Sequence, residues 1–327
     1  MYTVLSTVPR GPVAVDDVAR IVVLPDVHGD LHKARGALRL AGVIDERDRW
    51  IARDTVVVQL GDQIDGKPRQ APAQQAQSRE KTHGHECGES IRHDLEVLGF
   101  FNALHQGATR SGGAAFSLLG NHEMMNVRGV FGYVDDDGCA RCAAMRRETF
   151  SPGRFGARLL ACTRAAALRV GPLLFCHAGV LRWHLDACDD DIFELNRAVF
   201  RYFMGYELSD MQTRILDNVL LHPEGPLTTR AYAPWQAGAE QRGGSDYNGG
   251  RAASPAEDEL PGLLSRLGVT RMIIGHNAHD PGLTAVFGGG VLVFDPGMSR
   301  SVLDAPAAAL ELRAADGWRP RLVTLET

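Results

Sequence analysis

Short β-branched runs, helical periodicity between them and a polar, glycine-containing cluster closing each run predict an α/β fold with a largely parallel, buried sheet. The runs are RIVVLPD (20–26), TVVVQLGD (55–62), AAFSLLGN (114–121), LLFCHAG (173–179), RMIIGHN (271–277) and GVLVFDPG (290–297). Apolar stretches of this length, bounded this way, read as strands covered on both faces. Between the second and third runs, Ile91, Leu95, Leu98 and Phe101 fall at helical spacing. Residues 191–205 and 209–221 carry further helical patterns, the second with Ser209 or Asp210 suited to an N-cap. Phe193, Phe200, Phe203 and Met204 in the first read as core packing.

Three stretches break the rhythm. Residues 66–90 are rich in Gln, Pro, Lys and His; 132–158 hold Asp135, Asp136 and Asp137; 236–259 are rich in Gly, Ala, Ser and Glu. The strand pattern resumes after each, so they read as surface insertions in a single domain spanning 1–327.

Composition narrows the function. A chain of 327 residues with 44% hydrophobic and 23% charged residues suits a soluble protein with a sizeable core. A net charge of −5 disfavours a nucleic-acid partner, while leaving room for a locally basic pocket. No basic segment followed by an apolar run opens the sequence, and no apolar stretch reaches the roughly 20 residues of a membrane helix. Of the six cysteines, Cys162 and Cys176 sit in apolar runs, as reduced core residues do. The expectation is a soluble, cytoplasmic protein with no membrane partner.

The chemistry lies at the strand ends. Each of five runs delivers ionisable or amide side chains as its apolar part stops: Asp26 with His28, Asp62, Asn121 with His122, His177, and His276. Sites in open α/β sheets form beyond the carboxyl ends of the strands, so these residues are expected to converge. Carboxylates, imidazoles and one amide, without thiolates, suit manganese, iron or zinc. Asp26 and His28, two apart, project to one side, and Gly29 lets the chain turn. Asp62 is the natural bridge between two cations, which at about 3.5–4 Å apart can clamp an in-line displacement at phosphorus. Singly, each residue has a plainer reading: Asp26 and Asp62 as turn or cap residues, His177 as a core histidine, Asn121 as a left-handed turn. Their joint order carries the argument.

DVHGD, GDQID, GNHE, CHAGV and GHN, in that order, resemble the calcineurin-like metallophosphoesterase superfamily, and GNHE resembles its phosphoprotein phosphatase branch. LLGNHEMMN (118–126), PEGPLTTRAY (223–232) and FDPGMSR (294–300) are similar to segments of the Shewanella-like phosphatases within that branch. The resemblance, spanning roughly residues 20–300, implies an αββα sandwich and two divalent cations, manganese first. It implies that Asp26, His28 and Asp62 hold one cation, and that Asp62, Asn121, His177 and His276 hold the other. By the same resemblance a metal-bound hydroxide attacks phosphorus in a single step, His122 protonates the leaving oxygen, Asp65 orients His122, and Arg230 contacts the phosphate. The implied substrate is a phosphoprotein, phosphoserine or phosphothreonine first and phosphotyrosine next.

The sequence departs from the family's GDxxDRG motif. It reads GDQIDGK, so Gly66 stands where a phosphate-binding arginine is expected, with Lys67, Arg69 and Arg128 the nearest substitutes. The adjoining 66–90 segment is expected to shape access. Two rivals follow: a nucleotide or small-metabolite phosphoesterase resembling diadenosine tetraphosphate hydrolases, and a degenerate phosphate-binding scaffold. GNHE rather than GNHD disfavours the first, and the intact ligand set disfavours the second. His279 reads as a loop residue, Glu123 as a buried partner that fixes a loop. Cys139 and Cys142, with His83, His85 and Cys87 upstream, fall one CxxC short of a structural zinc site.

Overall fold

All six apolar runs form strands in the computed structural model, which describes residues 18–67, 88–134, 139–234 and 259–324. The chain begins with β1 (Arg20–Leu24), α1 (Leu31–Leu40), β2 (Thr55–Gln59), α2 (Glu89–Thr109) and β3 (Ala114–Leu118). Helices α3 (Asn121–Val127), α4 (Ala140–Phe150) and α5 (Phe155–Thr163) follow, then β4 (Arg164–Ala165), β5 (Ala167–Val170) and β6 (Leu173–Cys176). Next come α6 (Arg182–Ala187), α7 (Glu194–Met204), α8 (Asp210–Ile215) and α9 (Glu259–Arg266). Strands β7 (Arg271–Ile274), β8 (Leu283–Val286), β9 (Val291–Phe294), β10 (Ala308–Arg313) and β11 (Arg321–Thr324) complete the described chain.

The strands divide between two sheets. One has the order β11-β10-β1-β2-β3-β4, the other β5-β6-β7-β9-β8. Parallel pairing runs through β1 to β4 and through β6, β7 and β9, while β10, β11, β5 and β8 pair antiparallel at the flanks. The parallel strands account for the continuous apolar runs. Adjacent residues in each strand enter different cores. In β1, Ile21 and Val23 face the second sheet, packing in one cluster with Phe175, Ile273 and Phe294. Val22 and Leu24 face outward onto Leu31, Ala34 and Leu38 of α1 and Phe101 of α2. Register carries this across the sheet, since Val57 lies level with Val22 on one side and Ala115 on the other. On the far side, Leu174, Met272 and Val293 of the second sheet pack against Leu160, Leu195, Phe203 and Leu263. The result is helices, sheet, sheet, helices: the αββα sandwich.

Ser209 caps α8, accepting from the Gln212 N–H, and the helix continues as a π turn over Leu216–Leu220. Of the stretches read as insertions, residues 68–87 and 235–258 lie outside the described residues. The 132–158 stretch differs from a plain surface insertion, because it contains α4 and the start of α5. On α4, Cys142, Arg146 and Phe150, spaced by one helical turn each, are buried. Phe193, Phe200, Phe203 and Met204 all pack into or against the core of the second sheet's outer face. Among the described residues no helix is long and apolar enough to cross a membrane.

Candidate functional site

The carboxyl ends of five parallel strands, three in one sheet and two in the other, open onto one place. Asp26 and His28 follow β1, Asp62 follows β2, Asn121 opens α3 after β3, His177 follows β6 and His276 follows β7. The loops are stitched together by backbone. Val27 and His28 N–H both donate to the Asp62 carbonyl (3.0 and 2.9 Å), and Gly275 N–H donates to the His177 carbonyl (2.8 Å). Glu123 completes the scaffold: its buried carboxylate accepts the N–H groups of Gly120 (2.7 Å), Asp62 (3.0 Å), Gln63 (2.8 Å) and Ile64 (3.4 Å).

Two triads of ligand atoms share the Asp62 carboxylate. His28, Asp62 and His122 form one, and Asp62, His177 and His276 the other, each with its atoms within 4.8 Å of one another. Asp62 Oδ2 lies 3.3 Å from His177 Nε2 and 3.8 Å from His28 Nε2. Asp26 stands beside both triads, 3.9 Å from His28 Nε2 and 3.9 Å from His177 Nδ1. Asn121 Oδ1 faces His177 Nε2 at 3.1 Å. The six residues expected to ligate are therefore neighbours.

Hydrogen bonds fix which ring nitrogen faces inward. His177 Nδ1 donates to the Leu60 carbonyl (2.7 Å), leaving Nε2 for the cluster. His276 Nε2 donates to the Thr228 carbonyl (3.0 Å), leaving Nδ1. This outer bonding is what orients an imidazole for a metal. Four site residues hold left-handed backbone: His28 (φ 42°), Asp62 (49°), Asp65 (68°) and His276 (65°). Such conformations cost non-glycine residues energy and persist where the surroundings dictate them. At Gly275 a side chain is excluded outright, since a Cβ there would lie 2.5 Å from Asp26 Oδ1.

Electrostatics favour a cation between these groups. Burial raises the Asp26 carboxyl well above the usual carboxylate range, and the nearby carboxylates of Asp295 and Asp62 add to the rise. Burial also opposes ionisation of Asp62, but the imidazoles of His177, His122 and His28 outweigh it and hold that carboxyl well below its ordinary value. Burial disfavours the His177 imidazolium, yet Asp62 and Asp26 lift the ring to about 10. His276 is pushed well below its ordinary value by burial first, then by Arg230 and His177. Two carboxylates, three imidazoles and an amide oxygen gathered in a buried space match the donor set for hard or borderline divalent ions, so the residues fit a metal pair.

Residues 19–280 match the calcineurin-like phosphoesterase family. The chain belongs to that family. Among its relatives, Shewanella-like protein phosphatase 2 of Arabidopsis thaliana is 28% identical to this phosphoesterase, over 92% of this chain and 76% of that protein. The fold is similar to that of the cold-active protein-tyrosine phosphatase of a psychrophilic Shewanella species (TM-score 0.63, 20% identity, 99% of this chain and 85% of that one). It is also similar to a protein serine/threonine phosphatase from Saccharomyces cerevisiae (TM-score 0.54, 12% identity, 99% and 87%). Calcineurin-like phosphoesterases use a dinuclear metal centre, and the paired triads around Asp62 provide groupings able to hold one.

His122 Nδ1 donates to Asp65 Oδ2 (2.9 Å), and its Nε2 lies 3.9 Å from Asp62 Oδ2. Arg230 donates to Asn277 Oδ1 (2.9 Å) and lies close enough to His276 to disfavour its charged form. Gly66 and Lys67 are exposed beside the site, and Arg69 lies outside the described residues. The His279 ring is engaged by the Asn277 carbonyl (2.7 Å) and Thr284 Oγ1 (3.0 Å), as befits a loop residue. Cys139 caps α4, its Sγ accepting from Cys142 N–H (3.2 Å), and neither cysteine enters a triad. His83, His85 and Cys87 lie outside the described residues.

Sequence reasoning missed Asp295 beside Asp26, and Asp94, Asn126 and Arg146 around Asp65. Asp94 carried a signal: it sits at helical spacing from Ile91 and Leu98 on the buried stripe of α2. A carboxylate on such a stripe calls for a buried partner.

Proposed function

We propose that this calcineurin-like phosphoesterase is a metal-dependent phosphoprotein phosphatase. Phosphoserine and phosphothreonine are its first substrates, phosphotyrosine the next. The observation that carries this reading is the Asp62 carboxylate set between His28 on one side and His177 and His276 on the other, with the His122–Asp65 pair beside it. The similarity to Shewanella-like protein phosphatase 2 over 92% of the chain supports the substrate class.

Asp26, His28 and Asp62 would hold one cation, and Asp62, Asn121, His177 and His276 the other, with manganese the first choice. When bound, the pair supplies Lewis acidity that draws charge from the phosphoryl oxygens and activates water. The chain's own groups do the rest. Arg230 offers the phosphate a guanidinium fork. His122, its Nδ1–H held by Asp65, presents Nε2 to the leaving oxygen and gives it a proton as the P–O bond breaks. The serine alkoxide needs that proton at neutral pH.

The test is turnover of phosphoserine, phosphothreonine and phosphotyrosine peptides against dinucleoside polyphosphates, with manganese added. Phosphopeptide turnover that Asp62→Asn abolishes while the fold persists is the expected result. Preference for the polyphosphates would replace the substrate class, and absence of any turnover would sink the reading.

A further inference from the structure

We infer that Arg146 of α4 is a positioning residue for the phosphatase reaction, acting through Asp65 to hold His122 in line with the leaving group. This rests on the proton-donor reading of His122.

Arg146 is fully buried, with its guanidinium carbon 5.2 Å from the Phe150 ring centre and 5.9 Å from that of Phe131. Its polar edge turns to Asp65. Nη2 donates to Asp65 Oδ1 (3.0 Å) and to Asp94 Oδ2, and Nε donates to Asn126 Oδ1 (2.5 Å). Asn126 in turn reaches both Asp65 oxygens from Nδ2, at 2.9 Å each, and the His122 carbonyl at 2.9 Å. Asp94 Oδ1 accepts the Asp65 backbone N–H (3.3 Å). Asp65 is thus gripped at both carboxylate oxygens and at its backbone, with Oδ2 aimed at His122 Nδ1.

Stability is a poor reason for such an arrangement. Buried ion pairs seldom outperform apolar side chains of the same volume, because desolvation consumes the attraction. Here one strand of the network is left incomplete as well, since Arg146 Nη1 is buried with no hydrogen-bond partner among the described residues. What the network does supply is a carboxylate that cannot rotate. A carboxylate free to rotate would carry the Nδ1 hinge with it and swing Nε2 away from the leaving oxygen, and misplacement of about 1 Å is costly. A guanidinium suits the task because its planar fork reaches three acceptors at once, which a lysine ammonium on the same helix does not.

The test uses the full-length, manganese-loaded protein and two substrates. A phosphoserine peptide leaves an alkoxide that needs a proton, whereas 4-nitrophenyl phosphate leaves a stable phenolate. Arg146→Lys and Asp94→Asn should each lower kcat on the peptide by about 10- to 100-fold, as loss of an outer orienting partner does. KM and metal content should stay unchanged, and kcat on 4-nitrophenyl phosphate should fall far less. If burial of an unpaired charge prevents folding, the charge-neutral pair Arg146→Met with Asp94→Leu carries the same comparison. His122→Asn is the reference. If it shifts the ratio of the two kcat values and the Arg146 and Asp94 variants do not, the positioning role is overturned and the proton donor stands. If His122→Asn leaves the ratio unmoved, the proton-donor reading fails and the inference with it. Equal losses on both substrates, or loss of metal, would make Arg146 a structural support only.

Discussion

A Cβ built on Gly120 would fall 2.0 Å from Asp62 Oδ1, so the turn after β3 is pressed directly against the carboxylate common to both triads. Asp62 Oδ1 in turn accepts the His122 N–H (2.9 Å). The carboxylate is oriented by backbone alone on that side. Gly120→Ala must therefore displace either Asp62 or α3. We expect kcat to fall by at least about 100-fold, the cost of shifting a reacting group by roughly an ångström. Steady-state kinetics with metal content measured in parallel will check this.

Glu123 is buried and accepts four backbone N–H groups from two loops. Glu123→Gln retains the shape but leaves one oxygen where there were two, and turns an amide donor toward donors. A loss of about 1–3 kcal/mol is expected, the penalty for buried N–H groups left unpaired. Urea unfolding of the two proteins at one metal concentration measures it.

Cations held between the sheets should stabilise the fold by mass action. Asp26 and Asp62 belong to one sheet, His177 and His276 to the other, so a bound ion ties the layers together. At a free concentration of 100 times Kd, one site adds about 2.7 kcal/mol. Chelation should lower Tm and abolish turnover, and manganese should restore both; an unchanged Tm would count against the ligand assignment.

At the other end of the first sheet, Glu311 provides a pH signature free of metal chemistry. Burial opposes its ionisation, but the guanidinium groups of Arg313, Arg20 and Arg321 overcome burial and hold the carboxyl at about 2, against an ordinary 4.5. A lowered carboxyl pKa adds stability that is complete above the unfolded value and disappears as pH falls through the folded one. The stability gap between the wild type and Glu311→Gln should therefore be full above pH 4.5 and close towards pH 2. Denaturant midpoints across that range will show it.

Gly66→Arg restores the side chain expected in the family's second motif. Among the described residues Gly66 borders a cavity of 570 Å³ with Asp65, His93 and Arg300, and a Cβ at this position meets the His28 carbonyl at 3.2 Å. KM for phosphopeptides should fall. Unchanged kcat and KM would mean that the phosphate is held without this position.

The metal-binding candidates were legible because chemistry and topology coincide: parallel strands expose their carboxyl ends together, and each run stops on a ligand-type side chain. Legibility failed where a residue's surroundings, not its type, decide its role. Arg146 sits in ARCAAMRRETF beside Arg141, Arg147 and Glu148, a segment that reads as a solvated face, and nothing local marks it as the buried one. The flanking strand β10 was unread because Glu311 interrupts its apolar pattern, and only the three arginines around it explain why a carboxylate can lie there. The division into two sheets was equally invisible to periodicity, since strands of both read as continuous apolar runs and only the resemblance implied the sandwich.

The pairing of β10 with β1 sets Arg313 opposite Arg20, and Leu310 opposite Val23. On the ribosome, β1 is therefore made long before its antiparallel neighbour exists, and until residue 313 has emerged one edge of the strand that leads into Asp26 stands open. A nascent chain halted before β10 would carry every candidate ligand yet lack the strand that closes the sheet beside the first of them.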